Sequence, residues 1–208
     1  MAVKAVIFDI GGVIVDADLE GYAALAARLF QSTEGDMRAA VQSRLGKLEM
    51  GQIDSPAFWK EVGEHLWAQG KGKQAEPDRC ATIWSKLIRE KMKINLNMLN
   101  LCWSLRRTGI VVAALSNTIA DHAKHLATLG AYNPFRPCVL SCEVGLRKPD
   151  RAIYALTAKK AGKAPKECLF VDDSAVNVEG AKAAGMQAHL FTNMPSLLVE
   201  LGKHKLLK

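Results

Sequence analysis

Residues 5–12 read Ala5-Val6-Ile7-Phe8-Asp9-Ile10-Gly11-Gly12, an apolar run that ends in a carboxylate and is followed by paired glycines. An uninterrupted apolar run predicts a strand buried on both faces, as in a parallel sheet, rather than a half-exposed strand with alternating polarity. The glycines force a turn directly afterwards, which leaves Asp9 at the strand's carboxyl end. Similar runs follow much later: Ile110-Val111-Val112-Ala113-Ala114-Leu115, Cys168-Leu169-Phe170-Val171 and Gln187-Ala188-His189-Leu190-Phe191, with a weaker one at Cys138-Val139-Leu140-Ser141. Helical patterns over residues 119–129, 151–161 and 175–184 alternate with them, and each closes near a glycine: Gly130, Gly162 or Gly185. Pro149 suits the first helical position after Lys148, where its missing N–H costs nothing. Strands alternating with helices predict an α/β fold, a doubly wound parallel sheet with helices on both faces.

Residues 16–95 break that alternation. They carry amphipathic helical patterns and no convincing strand. The helices are expected from about Asp18, after Thr33 (with Asp36 in a capping-box position), after Asp54-Ser55-Pro56 and after Glu76-Pro77-Asp78. Trp59, Trp67 and Trp84 fall here and are expected to form the core of a small helical unit. The organisation that follows is a core from residues 1–15 and 96–208, with an all-α cap of residues 16–95 inserted after the first strand, over the sheet's carboxyl edge.

Composition narrows the function classes. The chain has 208 residues, 49% hydrophobic and 24% charged, as in ordinary globular proteins. No apolar run approaches the roughly 20 residues needed to span a bilayer, so no membrane partner is expected. The N-terminal run ends at Asp9 without a signal-peptide layout, and the five cysteines show no metal or disulfide spacing; a cytoplasmic location with free thiols is expected. The net charge of +7 is spread along the chain without the interleaved aromatic residues of a single-strand binder. It favours small anionic ligands over nucleic acid. A monomer or a homodimer fits equally.

In a doubly wound sheet, ligands bind beyond the carboxyl ends of the strands. Asp9 follows the first strand, Ser116-Asn117-Thr118 the second, Gly145-Leu146-Arg147-Lys148-Pro149 comes near the third, and Asp172-Asp173-Ser174 follows the fourth. Asp9, Asp172 and Asp173 would place three carboxylates together, which like-charge repulsion forbids without a compensating cation. A hard divalent ion does this, and Mg²⁺ suits a few carboxylates with phosphate and water. Ser116, Asn117 and the N–H groups opening the next helix offer an anion site. Lys148 adds a fixed positive charge for the transferring oxygens. Asp9 is then placed to attack phosphorus and form an aspartyl-phosphate.

Taken together these segments resemble the haloacid dehalogenase-like hydrolase superfamily over nearly the whole chain. Phe8-Asp9-Ile10-Gly11-Gly12-Val13 resembles its first motif and Leu115-Ser116-Asn117-Thr118 its second. Lys148-Pro149 matches the third, and Phe170-Val171-Asp172-Asp173-Ser174 the fourth, extended by Asn177 and Glu179-Gly180-Ala181. The resemblance implies a Rossmann-like core, a helical cap and Mg²⁺-dependent phosphatase activity. It implies Asp9 as nucleophile and metal ligand, Ser116, Asn117 and Lys148 around the phosphate, and Asp173 as the more direct metal ligand, with Asp172 in the first or second shell. Most phosphatases of the family carry a second aspartate two positions after the nucleophile. Here Gly11 stands there; it can offer a carbonyl to the metal but no proton to a leaving group, so the expectation is an enzyme that is slow on ordinary phosphate esters, favours better leaving groups, or borrows a proton from Asp16, Asp18 or the substrate itself. A similar branch with glycine at this position includes a bacterial α-D-glucose-1-phosphate phosphatase. That implies a sugar phosphate or comparable metabolite, with the cap loop Glu49-Met50-Gly51-Gln52 as a candidate substrate contact or a plain turn. A 2-haloacid dehalogenase, a phosphomutase and a non-catalytic binding protein on the same fold are the competing readings.

Overall fold

The computed structural model describes residues 2–17, 20–74, 76–78, 80–82, 85 and 92–207; Asp18 and Trp84 lie outside them. The core strands are β1 (Ala5–Phe8), β4 (Val111–Ser116), β5 (Cys138–Leu140), β6 (Cys168–Asp172) and β7 (Gln187–Leu190). They form one parallel sheet in the order β5-β4-β1-β6-β7. β1 is central. Phe8 lies level with Ala114 on one side and Val171 on the other, so Asp9, Ser116 and Asp172 emerge at one edge.

The period-two pleat sorts the strand residues between two faces. Val6, Phe8, Val112, Ala114, Leu169 and Val171 pack against α5 (Leu96–Arg107), α6 (Ala120–Thr128) and α10 (Met194–Lys203). Ala5, Ile7, Ala113, Leu115 and Phe170 pack against α8 (Arg151–Lys160) and α9 (Ala175–Ala183) on the other face. Both faces are covered, which is why the strands read as continuous apolar runs. Gly130, Gly162 and Gly185 each stand two residues beyond α6, α8 and α9.

The cap contains α1 (Glu20–Phe30), α2 (Glu34–Gln42), α3 (Leu45–Glu49) and α4 (Ser55–Ala68). Thr33 caps α2 by accepting from the Asp36 N–H at 3.1 Å, and Asp54 caps α4 by accepting from the Ala57 N–H at 2.9 Å. Caps of this kind contribute about 1 kcal/mol each. Phe30 stacks on Trp59 at 5.9 Å, and Phe58 meets Trp59 edge-on at 5.2 Å.

Three expectations are corrected. Trp67 is 58% exposed and is not part of the cap core. Pro149 does not open α8; Asp150 caps that helix and Pro149 sits in the preceding turn, after a cis bond to Lys148. The span 16–95 does contain strand: β2 (Val15–Ala17) pairs antiparallel with β3 (Met92–Ile94), so the chain leaves and re-enters the core side by side. Among the described residues no helix is long and apolar enough to cross a membrane.

Candidate active site

Asp9 continues β1 by donating its N–H to the Val171 carbonyl at 2.8 Å, which anchors its backbone to β6. Its Oδ1 accepts from the Ile10 N–H at 2.7 Å and faces Lys148 Nζ at 2.8 Å. The same ammonium donates to Asp172 Oδ2 at 2.6 Å. Asp9, Lys148 and Asp172 are all buried, the last completely. Asp172 also accepts at Oδ1 from the Ser174 N–H at 2.8 Å, and from Asn177 Nδ2 at 3.1 and 3.2 Å. Its lone pairs are largely occupied, so Asp9 and the exposed Asp173 are the freer carboxylates.

One carboxylate oxygen from each of Asp9, Asp172 and Asp173 lies within 4.8 Å of the others. Three carboxylates with one ammonium leave two negative charges when all are ionised. The site relieves this electrostatically: burial, reinforced by Asp172, pushes the Asp9 carboxyl up to about 7 against the pull of Lys148. Burial and Asp172 likewise raise Asp173. Burial alone would lower Lys148, but Asp9 and Asp172 outweigh it and hold the ammonium charged. An all-oxygen donor set with a deficit of two charges fits a hard divalent cation.

The side chain of Asn117 is engaged by the Lys148 backbone. Its Nδ2 donates to the Lys148 carbonyl at 2.9 Å and its Oδ1 accepts from the Lys148 N–H at 2.8 Å. The side chain thus clamps the backbone that carries the buried lysine. Ser116 is 3% exposed, and its hydroxyl makes a long 3.4 Å contact with the Asn117 carbonyl. Beside it, the Thr118 N–H donates to Ser141 Oγ at 2.9 Å, so that amide already has a partner. No side chain caps α6.

Sequence reasoning assigned no role to Asn177, Ser141 or Tyr154. Tyr154 donates to the Asn177 carbonyl at 2.8 Å and packs edge-on against Phe170 at 5.4 Å. Asn177 was discoverable, since a residue five after Asp172 sits one turn into the following helix. Ser141 and Tyr154 meet their partners only through tertiary folding. A cavity of about 200 Å³ lies where core and cap meet; Gly11, Ser116 and Asn117 line it from the core, and Val41, Leu45 and Glu49 from the cap. The loop around Gly51 is a turn and also touches the core, its Cα lying against the Cys142 carbonyl. Asp16 is exposed on β2.

The chain resembles several known proteins. It is 26% identical over 195 residues to D-ribitol-5-phosphate phosphatase of Bacteroides thetaiotaomicron, covering 89% of this chain and 90% of that one. A family enzyme of Bacteroides thetaiotaomicron, solved with magnesium and inorganic phosphate, superposes with a TM-score of 0.71 at 25% identity, covering 91% and 94% of the two chains. L-2-haloacid dehalogenase of Xanthobacter autotrophicus shares the fold, with a TM-score of 0.63 at 20% identity over 99% and 85%. The chain spans only 61%, 39% and 40% of the length of three other curated relatives it matches. The profile of the haloacid dehalogenase-like hydrolases matches residues 3–185, a span that holds the whole carboxylate and lysine cluster together with the cap. By that match and by the sheet that carries the cluster, the chain belongs to the haloacid dehalogenase-like hydrolase family.

Proposed function

We propose that this chain is a Mg²⁺-dependent phosphohydrolase of a small phosphorylated metabolite, with a sugar phosphate as the favoured substrate class, acting through an aspartyl-phosphate at Asp9. The observation that carries the reading is Lys148 Nζ, buried between Asp9 at 2.8 Å and Asp172 at 2.6 Å, with Asp173 completing the carboxylate group. Both contacts on the Asp9 carboxylate fall on Oδ1, which supports Oδ2 as the attacking oxygen. Lys148 offsets charge on the transferring oxygens, and Ser116 contributes a hydroxyl donor beside them. Asn117 takes part through its clamp on Lys148, and through its backbone N–H at the end of β4. Asp9 and Asp173, with the Gly11 carbonyl and with Asp172 behind them, would hold Mg²⁺, which supplies neutralising charge for the phosphate when bound.

A dehalogenase reading requires a haloacid carboxylate to approach three protein carboxylates, which like-charge repulsion opposes. The experiment is p-nitrophenyl phosphate turnover with Mg²⁺, with EDTA, and with Asp9→Asn. Activity that disappears in both EDTA and the variant supports the phosphatase. Halide release from a 2-haloacid without metal would replace it with the dehalogenase, and neither activity would leave a binding protein.

A further inference from the structure

An ester oxygen that leaves as an alcohol needs a proton, and Gly11 has none to give. The cavity that begins at Gly11 carries two titratable side chains on its wall, Glu49 and His122. His122, in the first turn of α6, is kept neutral by burial, its pKa pushed down to about 4. It is a poor acid reserve at neutral pH. Glu49 ends α3 with its side chain 13% exposed, and burial raises its carboxyl although Arg147 and Lys148 pull the other way. Its Oε2 pairs with Arg147 Nη2 at 2.7 Å. The segment that carries it is fitted to the core: a Cβ on Gly46 would meet Arg147 Nη1 at 3.3 Å, and one on Gly51 would meet the Cys142 carbonyl oxygen.

We propose that Glu49 is the catalytic acid and base of this site, supplied by the cap in place of the side chain missing at position 11; this rests on the phosphatase reading above. In the first step Asp9 Oδ2 bonds to phosphorus, the bond from phosphorus to the leaving oxygen breaks, and the Glu49 proton goes to that oxygen. In the second, water bonds to phosphorus while Glu49 takes its proton. The bond from phosphorus to Asp9 then breaks, inorganic phosphate departs and both carboxyl groups are restored. Arg147 positions the Glu49 carboxyl and tethers the cap through it.

The test is kcat/KM with Mg²⁺ along a series of aryl phosphates, from p-nitrophenyl to p-methylphenyl phosphate, for wild type, Glu49→Gln and Arg147→Gln. A protein with its acid in place hydrolyses the series at nearly constant rate. In Glu49→Gln the loss should grow along the series, from below about tenfold on p-nitrophenyl phosphate to about a hundredfold or more on the poorest leaving group. The same variant should release a burst of nitrophenolate, because water attack has lost its base. Arg147→Gln, which breaks the same ion pair, should lower all members by a similar factor. Parallel losses in Glu49→Gln, no loss, or a wild type already steep along the series would each overturn the proposal. Turnover of none of the esters by wild type would instead remove the phosphatase reading on which it stands.

Discussion

At the residue scale, the site depends on close approaches that a side chain would block. Gly12 has φ +69°, and a Cβ there would lie 2.1 Å from Asp173 Oδ2. Gly12→Ala therefore carries two penalties: roughly 1–2 kcal/mol for a left-handed backbone with a side chain, and displacement of the more exposed metal-side carboxylate. Gly109, at φ +88° with nothing within 4 Å of its Cβ position, carries only the first. Both alanine variants should lose similar stability in urea titrations. Gly12→Ala alone should raise the Mg²⁺ concentration for half-maximal activity by tenfold or more. Equal Mg²⁺ dependence in the two would mean that Asp173 is not a ligand. The positions of Asp9 and Asp173 were legible in the sequence because each directly follows an apolar strand, β1 or β6, whereas Lys148 lies in the turn before α8. The partner of Asn117 was not: it bonds a backbone 31 residues away, through a turn that no local pattern specifies.

At the element scale, the strands and the helices between them could be read because burial on both faces leaves a local apolar signature. β3 escaped because Met92–Ile94 is three residues long and is a strand only by virtue of β2, far away in sequence. Pro149 was misplaced for a related reason, since the Asp150 side chain accepts from the Ala152 N–H at 2.9 Å and starts the helix later. The packing of α9 on that turn is tight. A Cβ on Gly180 would lie 2.9 Å from Pro149 Cβ, from the Pro149 carbonyl oxygen and from Tyr154 Oη. Gly180→Ala should thus cost about 1–3 kcal/mol, as overpacking does. It should also lower kcat, because the displaced turn is the one that sets Lys148 between Asp9 and Asp172. A urea midpoint equal to wild type would show that α9 can retreat without strain, and unchanged kcat that Lys148 is placed independently of it.

At the scale of the whole molecule, the cap is joined to the core by a few specific contacts. Ser55 at the start of α4 donates to Asp121 Oδ2 at 2.5 Å, and Arg147 pairs with Glu49 at 2.7 Å. Gly51 then lies against the Cys142 carbonyl within α7 (Ser141–Val144), the same short helix whose Ser141 Oγ donates to the Thr118 carbonyl at 3.1 Å. A cap that cannot seat at Gly51 must either lift or push α7, and α7 is bonded to the segment following β4. Gly51→Ala tests this against Gly70→Ala. Gly51 and Gly70 have φ of +66° and +67°, so the backbone penalty is shared, but only Gly51 faces core backbone, where a Cβ and the carbonyl oxygen would overlap; nothing stands within 4 Å at Gly70. Each variant should lose about 1–2 kcal/mol from the left-handed residue. Gly51→Ala should additionally drop kcat/KM by tenfold or more and speed amide exchange in α3, while Gly70→Ala keeps wild-type kinetics. If both variants kept full kcat/KM, the cap would contribute nothing to turnover when seated, and Glu49 could not be the group that moves the proton.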